Sequence, residues 1–206
     1  IALFALARAA RNLFGAEVAF WATLAFALNG AWLSMARLAV YDTLALAGIA
    51  VSFWAVTELK RRDHRGWLVL AAVAFTVGMF TKYPMGLMLF PILGVLFFLR
   101  RERFLLDMGI FGVVSTAITL AFFLPLREQL AALPSWRLQN SPGFGVSLRV
   151  IGFVIFYLSA APLVLAVIGW MFTEKKRGLA SVLLLSMVIW PFYHLLLGDP
   201  VGTNKH

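Results

Sequence analysis

The sequence contains no cysteine and few charged residues, and acids are the scarcer charge. The absence of cysteine excludes disulfides, thiolate metal sites and thiol redox chemistry within this chain. Charged residues make up 13% of the 206 residues, whereas soluble domains carry about a quarter. Because 62% of the chain is hydrophobic, the composition argues against a large water-soluble domain.

Motifs that mark many catalytic sites are missing as well. The sequence has no P-loop, no GxGxxG, no GxSxG and no HExxH. Its three histidines, His64, His194 and His206, are too far apart in sequence to suggest a metal site. No cofactor is indicated. A divalent metal stays open, because both ends of the sequence look cut and residues beyond them could supply ligands.

Apolar runs separate short charged clusters along the whole chain. Runs of roughly 15–23 residues have the length of membrane-spanning helices, and an open sheet could not satisfy its backbone in lipid. The pattern predicts one all-α transmembrane domain over residues 1–206, a fragment of a longer protein. The predicted spans are residues 16–36, 43–57, 67–81, 84–99, 105–125, 150–172 and 179–197, with residues 1–7 as the tail of an earlier span.

The lysines and arginines are unevenly distributed between alternate loops. The net charge is +9, but the cations form short clusters between apolar runs, which is typical of the positive-inside rule and not of nucleic-acid binding. Twelve of the eighteen are therefore predicted to face the cytoplasm from a plasma (inner) membrane: Arg8, Arg11, Lys60, Arg61, Arg62, Arg65, Arg100, Arg101, Arg103, Lys175, Lys176 and Arg177. The other six are predicted to face outward: Arg37, Lys82, Arg127, Arg137, Arg149 and Lys205.

The outer side shows two features that suit a substrate site. Residues 43–57, 67–81 and 84–99 are short for a bilayer core of about 30 Å, so their outer ends are expected to be recessed. Residues 126–148 form a long extracytoplasmic loop whose polar and aromatic side chains, Trp136 among them, suit a cover over a site. A plain connector with an interfacial tryptophan anchor explains this loop equally well.

Asp42 and Lys82 are charges that need a physical reason. Asp42 precedes an apolar helix and suits an N-cap; with Arg37, five residues earlier, it could also order a polar head group. Lys82 precedes Tyr83–Pro84 in a predicted outer turn. Snorkelling to the headgroups would explain this lysine, and so would a cavity that binds an anionic lipid phosphate.

The order of these motifs is similar to that of a known enzyme family. Asp42 opens one helix, the basic turn KRRDHRGW follows, and the next helix ends in Gly78 and Thr81–Pro84. This arrangement, strongest over residues 15–105, resembles the GT-C membrane glycosyltransferases of the family 39 and aminoarabinose-transferase type. Tyr83 departs from the small residue usual there. The ending GTNKH is similar to a lysine motif that opens a later helix of the family.

The resemblance implies transfer of a sugar from a polyprenyl-phosphate donor to a lipid, glycan or protein acceptor at the extracytoplasmic face. Cations led by Lys82 would stabilise the lipid-phosphate leaving group. The acceptor needs a carboxylate base, which in these families lies in an outer loop ahead of this sequence, so no catalytic residue is assigned. The implied substrate-binding residues are Asp42, Lys82, Arg37, Tyr83, Lys205 and His206.

A transporter or flippase-like membrane protein for an amphipathic substrate is the alternative. Transporters often show Gly/Pro-interrupted helices in two matching halves, whereas this sequence has a single such break, at residues 81–86, and polar groups at one face. A structural membrane subunit is a third hypothesis, which predicts that Asp42 and Lys82 can be replaced without loss of function.

Overall fold

The computed structural model describes residues 1–28, 40–81, 83–127, 167–171 and 176–186. All regular secondary structure in these ranges is helical, without a strand, which confirms the prediction of an all-helical fold. The chain divides into two compact units, residues 1–125 and 126–206. The prediction of a single domain and the number of spans both stay predictions.

The first unit contains six α-helices within the described ranges. They are α1 (Ala2–Phe14), α2 (Ala16–Ala27), α3 (Val40–Arg62), α4 (Gly66–Thr81), α5 (Leu89–Leu99) and α6 (Phe104–Phe123). Two 3-10 helices, Tyr83–Met88 and Arg101–Arg103, precede α5 and α6. In the second unit, residues 167–171 are helical and α7 covers Arg177–Ser186.

Two helices in the described ranges are long and apolar enough to cross a membrane. They are Thr43–Arg62, within α3, and Arg101–Phe123, which joins the second 3-10 helix to α6. Shorter apolar helices are Ala16–Ala27, Gly66–Thr81, Met85–Leu99 and Arg177–Ser186. The predicted spans 67–81 and 105–125 agree with α4 and α6 to within two residues.

The prediction that residues 43–57 form a short span is wrong. α3 has 23 residues, about 34 Å of helix, which is enough for a full bilayer core. The helix continues through the polar segment 58–62 because Glu58, fully buried, lies among arginines that balance its charge. The argument that a short α3 recesses the Asp42 end therefore fails, while α4, with 16 residues, does remain short.

The prediction of one helix over residues 84–99 is wrong in its first part, where the chain forms the 3-10 helix Tyr83–Met88. Proline has no backbone N–H, and an α-helix accepts it in its first turn, where that N–H has no partner in the helix. Pro91 is the third residue of α5, which fits an α-helix that begins at Leu89. The preceding residues take the tighter 3-10 form, which is common at helix N-termini.

The N-terminal segment also differs from the prediction, which placed only residues 1–7 in a helix. α1 runs to Phe14, and Gly15, with a φ of 101°, separates it from α2. Glycine adopts a positive φ without steric cost, so this one residue allows the break between the two helices. Ala2, Ala5 and their neighbours on α1 pack against α3.

A buried carboxylate ties α1 to α3. Glu58 Oε1 accepts hydrogen bonds from Arg8 Nη2 at 3.2 Å, Asn12 Nδ2 at 3.1 Å and Trp54 Nε1 at 3.2 Å. Arg61 and Arg62 lie 3.4 and 3.3 Å from the same carboxylate. Asn12 also donates to Thr57 Oγ1 at 2.9 Å. Because these donors come from two helices, the buried charge fixes how they align.

Close backbone contact joins α3 to α4, which form an antiparallel pair and make the most extensive helix contact among the described residues. A Cβ atom placed at Gly48 would lie 2.6 Å from the carbonyl oxygen of Ala74 and 2.9 Å from Gly78 Cα. One at Gly78 would lie 3.0 Å from the carbonyl oxygen of Ala45. The two glycines therefore permit a separation that any larger residue would prevent, as in other small-residue contacts between membrane helices.

We expect Gly48→Ala to lower the free energy of unfolding by about 1–3 kcal/mol, because the new methyl group meets backbone that cannot move aside. The measurement is the midpoint of thermal unfolding in detergent. The matched control is Gly109→Ala on α6, where a Cβ atom would have no neighbour within 4 Å. Equal midpoints for the two variants would contradict the close approach.

We expect Glu58→Gln to destabilise the protein by about 2 kcal/mol, because it removes the charge that compensates partly buried Arg8 while preserving the side-chain shape. Glu102→Gln makes the same change at an exposed position and serves as control. In an Arg8→Gln background the cost of Glu58→Gln should be smaller. A full, unchanged cost there would show that the two residues are not coupled.

Candidate functional site

The structure describes the backbone at two of the predicted substrate-binding positions. Asp42 is the third residue of α3, so it lies inside the first turn and not at the predicted N-cap position before the helix. Tyr83 is the first residue of the 3-10 helix. The other four, Arg37, Lys82, Lys205 and His206, lie outside the described residues. Residues 128–148 of the predicted extracytoplasmic loop lie outside them as well, and all these assignments stay predictions.

The α3–α4 contact determines which ends of the helices lie together. Gly78 faces Ala45 and Ile49, and Gly48 faces Ala74 and Gly78. From this crossing α3 runs about five residues to Asp42, and α4 runs about five residues to its end. At 1.5 Å per residue, the backbone of Asp42 and the end of α4 therefore lie within about one helical turn of the same height.

The side chain of Thr81, the last residue of α4, hydrogen-bonds the carbonyl groups of the preceding turn. Thr81 Oγ1 donates to the carbonyl oxygen of Gly78 at 2.8 Å, and the carbonyl oxygen of Val77 is 3.2 Å away. The 3-10 helix that follows contacts both α3 and α4. A Cβ atom at Gly86 would lie 3.6 Å from Met79 Sδ, an ordinary contact. The segment after α4 thus folds back onto the end of the bundle that holds the position of Asp42.

The opposite end of the helix pair carries a basic cleft of about 550 Å³. Arg100 connects its two turns: the guanidinium donates from Nε to Asp107 Oδ2 at 2.9 Å and also hydrogen-bonds Asp63. Arg103 lies 3.2 Å from Asp63. The cleft is lined by Lys60, Asp63, Phe98, Leu99, Arg100, Arg101, Glu102 and Arg103.

Ion pairs connect the two turns of this cleft. Hydrogen bonds and charge from Arg100 lower the pKa of Asp63 below its ordinary value. A carboxylate with a lowered pKa stays charged as the pH falls through the usual range for aspartate, so the tie to Arg100 persists in mild acid. Asp107 is buried in the first turn of α6, where a negative charge suits the positive end of the helix.

Glu58 and Asp107 are buried acids that the sequence pattern does not single out. The predicted span ends at residue 57, just before Glu58, and the basic turn KRRDHRGW begins two residues after it. The available signal is on α1, where Arg8 and Asn12 stand four residues apart and so share one helix face. Polar groups paired in this way require an acceptor on a neighbouring helix.

Metal-ligand groups do not converge within the parts of the chain that the structure describes: no three of His, Asp or Glu come together there. Among these residues the polar clusters are ion pairs between arginines and carboxylates. The expectation that no cofactor is needed stays a prediction.

Comparison with known proteins identifies the family. No curated protein sequence and no solved structure matches the chain. A family model described as dolichyl-phosphate-mannose-protein mannosyltransferase matches residues 1–126, which include the six α-helices described in the first unit. Since the match covers more than half of the 206 residues, the chain belongs to this family of membrane glycosyltransferases, which use sugars linked to polyprenyl phosphate.

Proposed function

We propose that the protein moves a sugar from a polyprenyl-phosphate donor to an acceptor at the extracytoplasmic face of the plasma membrane. The resemblance to the family 39 and aminoarabinose-transferase type supports a cell-envelope acceptor, which is a lipid, a glycan or a protein. The sugar is a hexose or a pentose. The family match supports a polyprenyl-phosphate sugar as the donor. The acceptor, the kind of sugar and the face of the membrane belong to the proposal.

The observation that carries the proposal is the register of α3 and α4. The Gly48–Gly78 contact brings the backbone of Asp42 to the height at which α4 ends at Thr81. Lys82 is the next residue in the chain. An acid and a base at neighbouring helix ends supply opposite charges for a substrate that has a sugar at one side and a phosphate at the other.

The charge distribution supports the assignment of faces. The other end of the bundle carries a cluster of arginines around Glu58 and Asp63. They are Arg8, Arg61, Arg62, Arg100 and Arg103. Clusters of arginine and lysine at helix ends are typical of the cytoplasmic side of a membrane protein. The Asp42 end then faces the outside, where a lipid-linked sugar is available after it has crossed the membrane.

The reaction breaks the bond between the anomeric carbon and the phosphate oxygen, and a new bond forms from the acceptor hydroxyl to that carbon. The electron pair of the broken bond leaves with the lipid phosphate, so negative charge grows on the leaving group. Lys82 stabilises that charge, with Arg37 and Lys205 as further cations. A carboxylate takes the proton of the acceptor. We assign Asp42 to orient the sugar or the cations, with Tyr83 and His206 at the pocket wall.

We expect Lys82→Ala to reduce kcat by about 100-fold, because it removes a cation that acts on developing charge. The measurement is transfer from a radiolabelled polyprenyl-phosphate sugar in membranes that carry the full-length protein. Lys82→Arg should retain more activity than Lys82→Ala because the charge is kept. Asp42→Asn should also reduce transfer, by about tenfold or more, through loss of a charged hydrogen-bond partner.

Matched controls lie at the opposite end of the bundle. Lys60→Ala and Glu102→Gln remove the same kinds of charge from exposed positions, and both should leave transfer near the wild-type rate. Wild-type activity of Lys82→Ala and Asp42→Asn would remove both residues from the site. Equal losses in the controls would show that transfer is sensitive to the removal of any charge from the protein and not only to charge in the proposed pocket.

A further inference from the structure

A groove between α1 and α2 has no role in the proposed transfer reaction. It holds about 500 Å³ and is lined by residues of α1 and α2, none of which is in the proposed transfer site. Its walls are mainly apolar, with Phe4, Ala19, Phe20 and Leu24 among them. We name this cavity the α1–α2 groove.

The two cations that line the α1–α2 groove lie toward one end. Arg11 stands four residues before Gly15, which separates the two helices, and Arg8 lies one turn further along α1. Phe4 on α1 and Ala27 on α2 are the lining residues furthest from Gly15 in sequence. The groove is therefore amphipathic along its length, with cations near the turn and an apolar path away from it.

The positive charge at this end exceeds the negative charge that faces it. The Glu58 carboxylate is shared among Arg8, Arg61 and Arg62, so one negative charge faces three positive ones. Arg11 adds a further cation to the groove wall. Glu17, in the first turn of α2, is the nearest other acid in sequence, and it is exposed.

Two buried polar atoms of the groove residues have no hydrogen-bond partner within the described part of the chain. They are Arg8 Nε, which keeps a free N–H donor while the Nη2 atom binds Glu58, and Thr23 Oγ1. An unpaired buried donor costs about 1–3 kcal/mol, so a site with such a donor gains from a ligand that supplies an acceptor. A phosphate oxygen is an acceptor that also carries the missing negative charge.

We propose that the α1–α2 groove binds one anionic phospholipid from the leaflet that contains the Gly15 turn. The phosphate accepts hydrogen bonds from Arg8 and Arg11, and an acyl chain follows the apolar wall toward Phe4 and Ala27. Charge complementarity selects an anionic lipid, since basic pockets between membrane helices recognise acidic headgroups. With the faces assigned as above, this leaflet is the cytoplasmic one, so the lipid is distinct from the sugar donor.

The test is native mass spectrometry of the full-length protein in a neutral detergent, titrated separately with phosphatidylglycerol, phosphatidylcholine and inorganic phosphate. We expect one phosphatidylglycerol to bind more tightly than phosphatidylcholine and inorganic phosphate to bind weakly, because the apolar wall contributes to affinity. Arg11→Gln should weaken phosphatidylglycerol binding about fivefold, the effect of one cation near an acidic lipid. Ala7→Leu, which adds bulk inside the groove, should weaken binding of both lipids.

Arg65→Gln is the matched control, since it removes an exposed arginine from the α3–α4 turn, outside the groove. Equal affinities of Arg11→Gln and Arg65→Gln would overturn the proposal. Equal binding of the two phospholipids would also contradict it, since the cations would then have no role. Failure of any lipid to bind would point to another segment of the protein as the occupant. Sugar-transfer activity is measured on the same preparations. A preparation that binds phosphatidylglycerol but does not transfer sugar would count against the proposed function and not against the lipid site.

Discussion

The close approach of Gly48 to Gly78 is the constraint on which the rest of the structure depends. It sets the register of α3 against α4, and that register decides which loop residues share an end of the bundle. In hydrocarbon, apolar side chains gain little from leaving lipid, so helices associate through tight packing and buried polar contacts. Here both are used: glycines at the Asp42 end and the Glu58 network near the other end of α3.

The two ends of the bundle treat charge differently. At the Arg62 end, arginines outnumber the acids, and Glu58, Asp63 and Asp107 are all held by them. These three carboxylates are held in ion pairs that stabilise the structure, so they are not available to react with a substrate. At the other end, the proposed reaction requires cations that are available to a phosphate leaving group. On this proposal, one end of the bundle is stabilised by ion pairs and the other end carries out the reaction.

The sequence predicts the helical fold and the span of α4 well, because long apolar runs between charged clusters leave few alternatives. It fails where tertiary contacts override local polarity. The predicted span ends at residue 57, but α3 continues through Glu58 because Arg8 and Asn12 of α1 lie against this carboxylate. Pro91 lies in the first turn of α5, which agrees with a helix that begins at Leu89. The sequence does not reveal that residues 83–88 before it form a 3-10 helix. The proposed site is a pattern of order and spacing, and of its residues only the backbone of Asp42 and Tyr83 is described.

The most direct measurement is chemical cross-linking between α3 and α4 in the full-length protein. This chain has no cysteine, so a pair of introduced cysteines meets no competing thiol within it. A linker of about 10 Å, the separation of packed helices, should join the pair Asp42→Cys and Thr81→Cys. It should not join Asp42→Cys to Trp67→Cys, which lies about 21 Å further along α4. Cross-linking of the second pair in preference to the first would contradict the register, and with it the shared site.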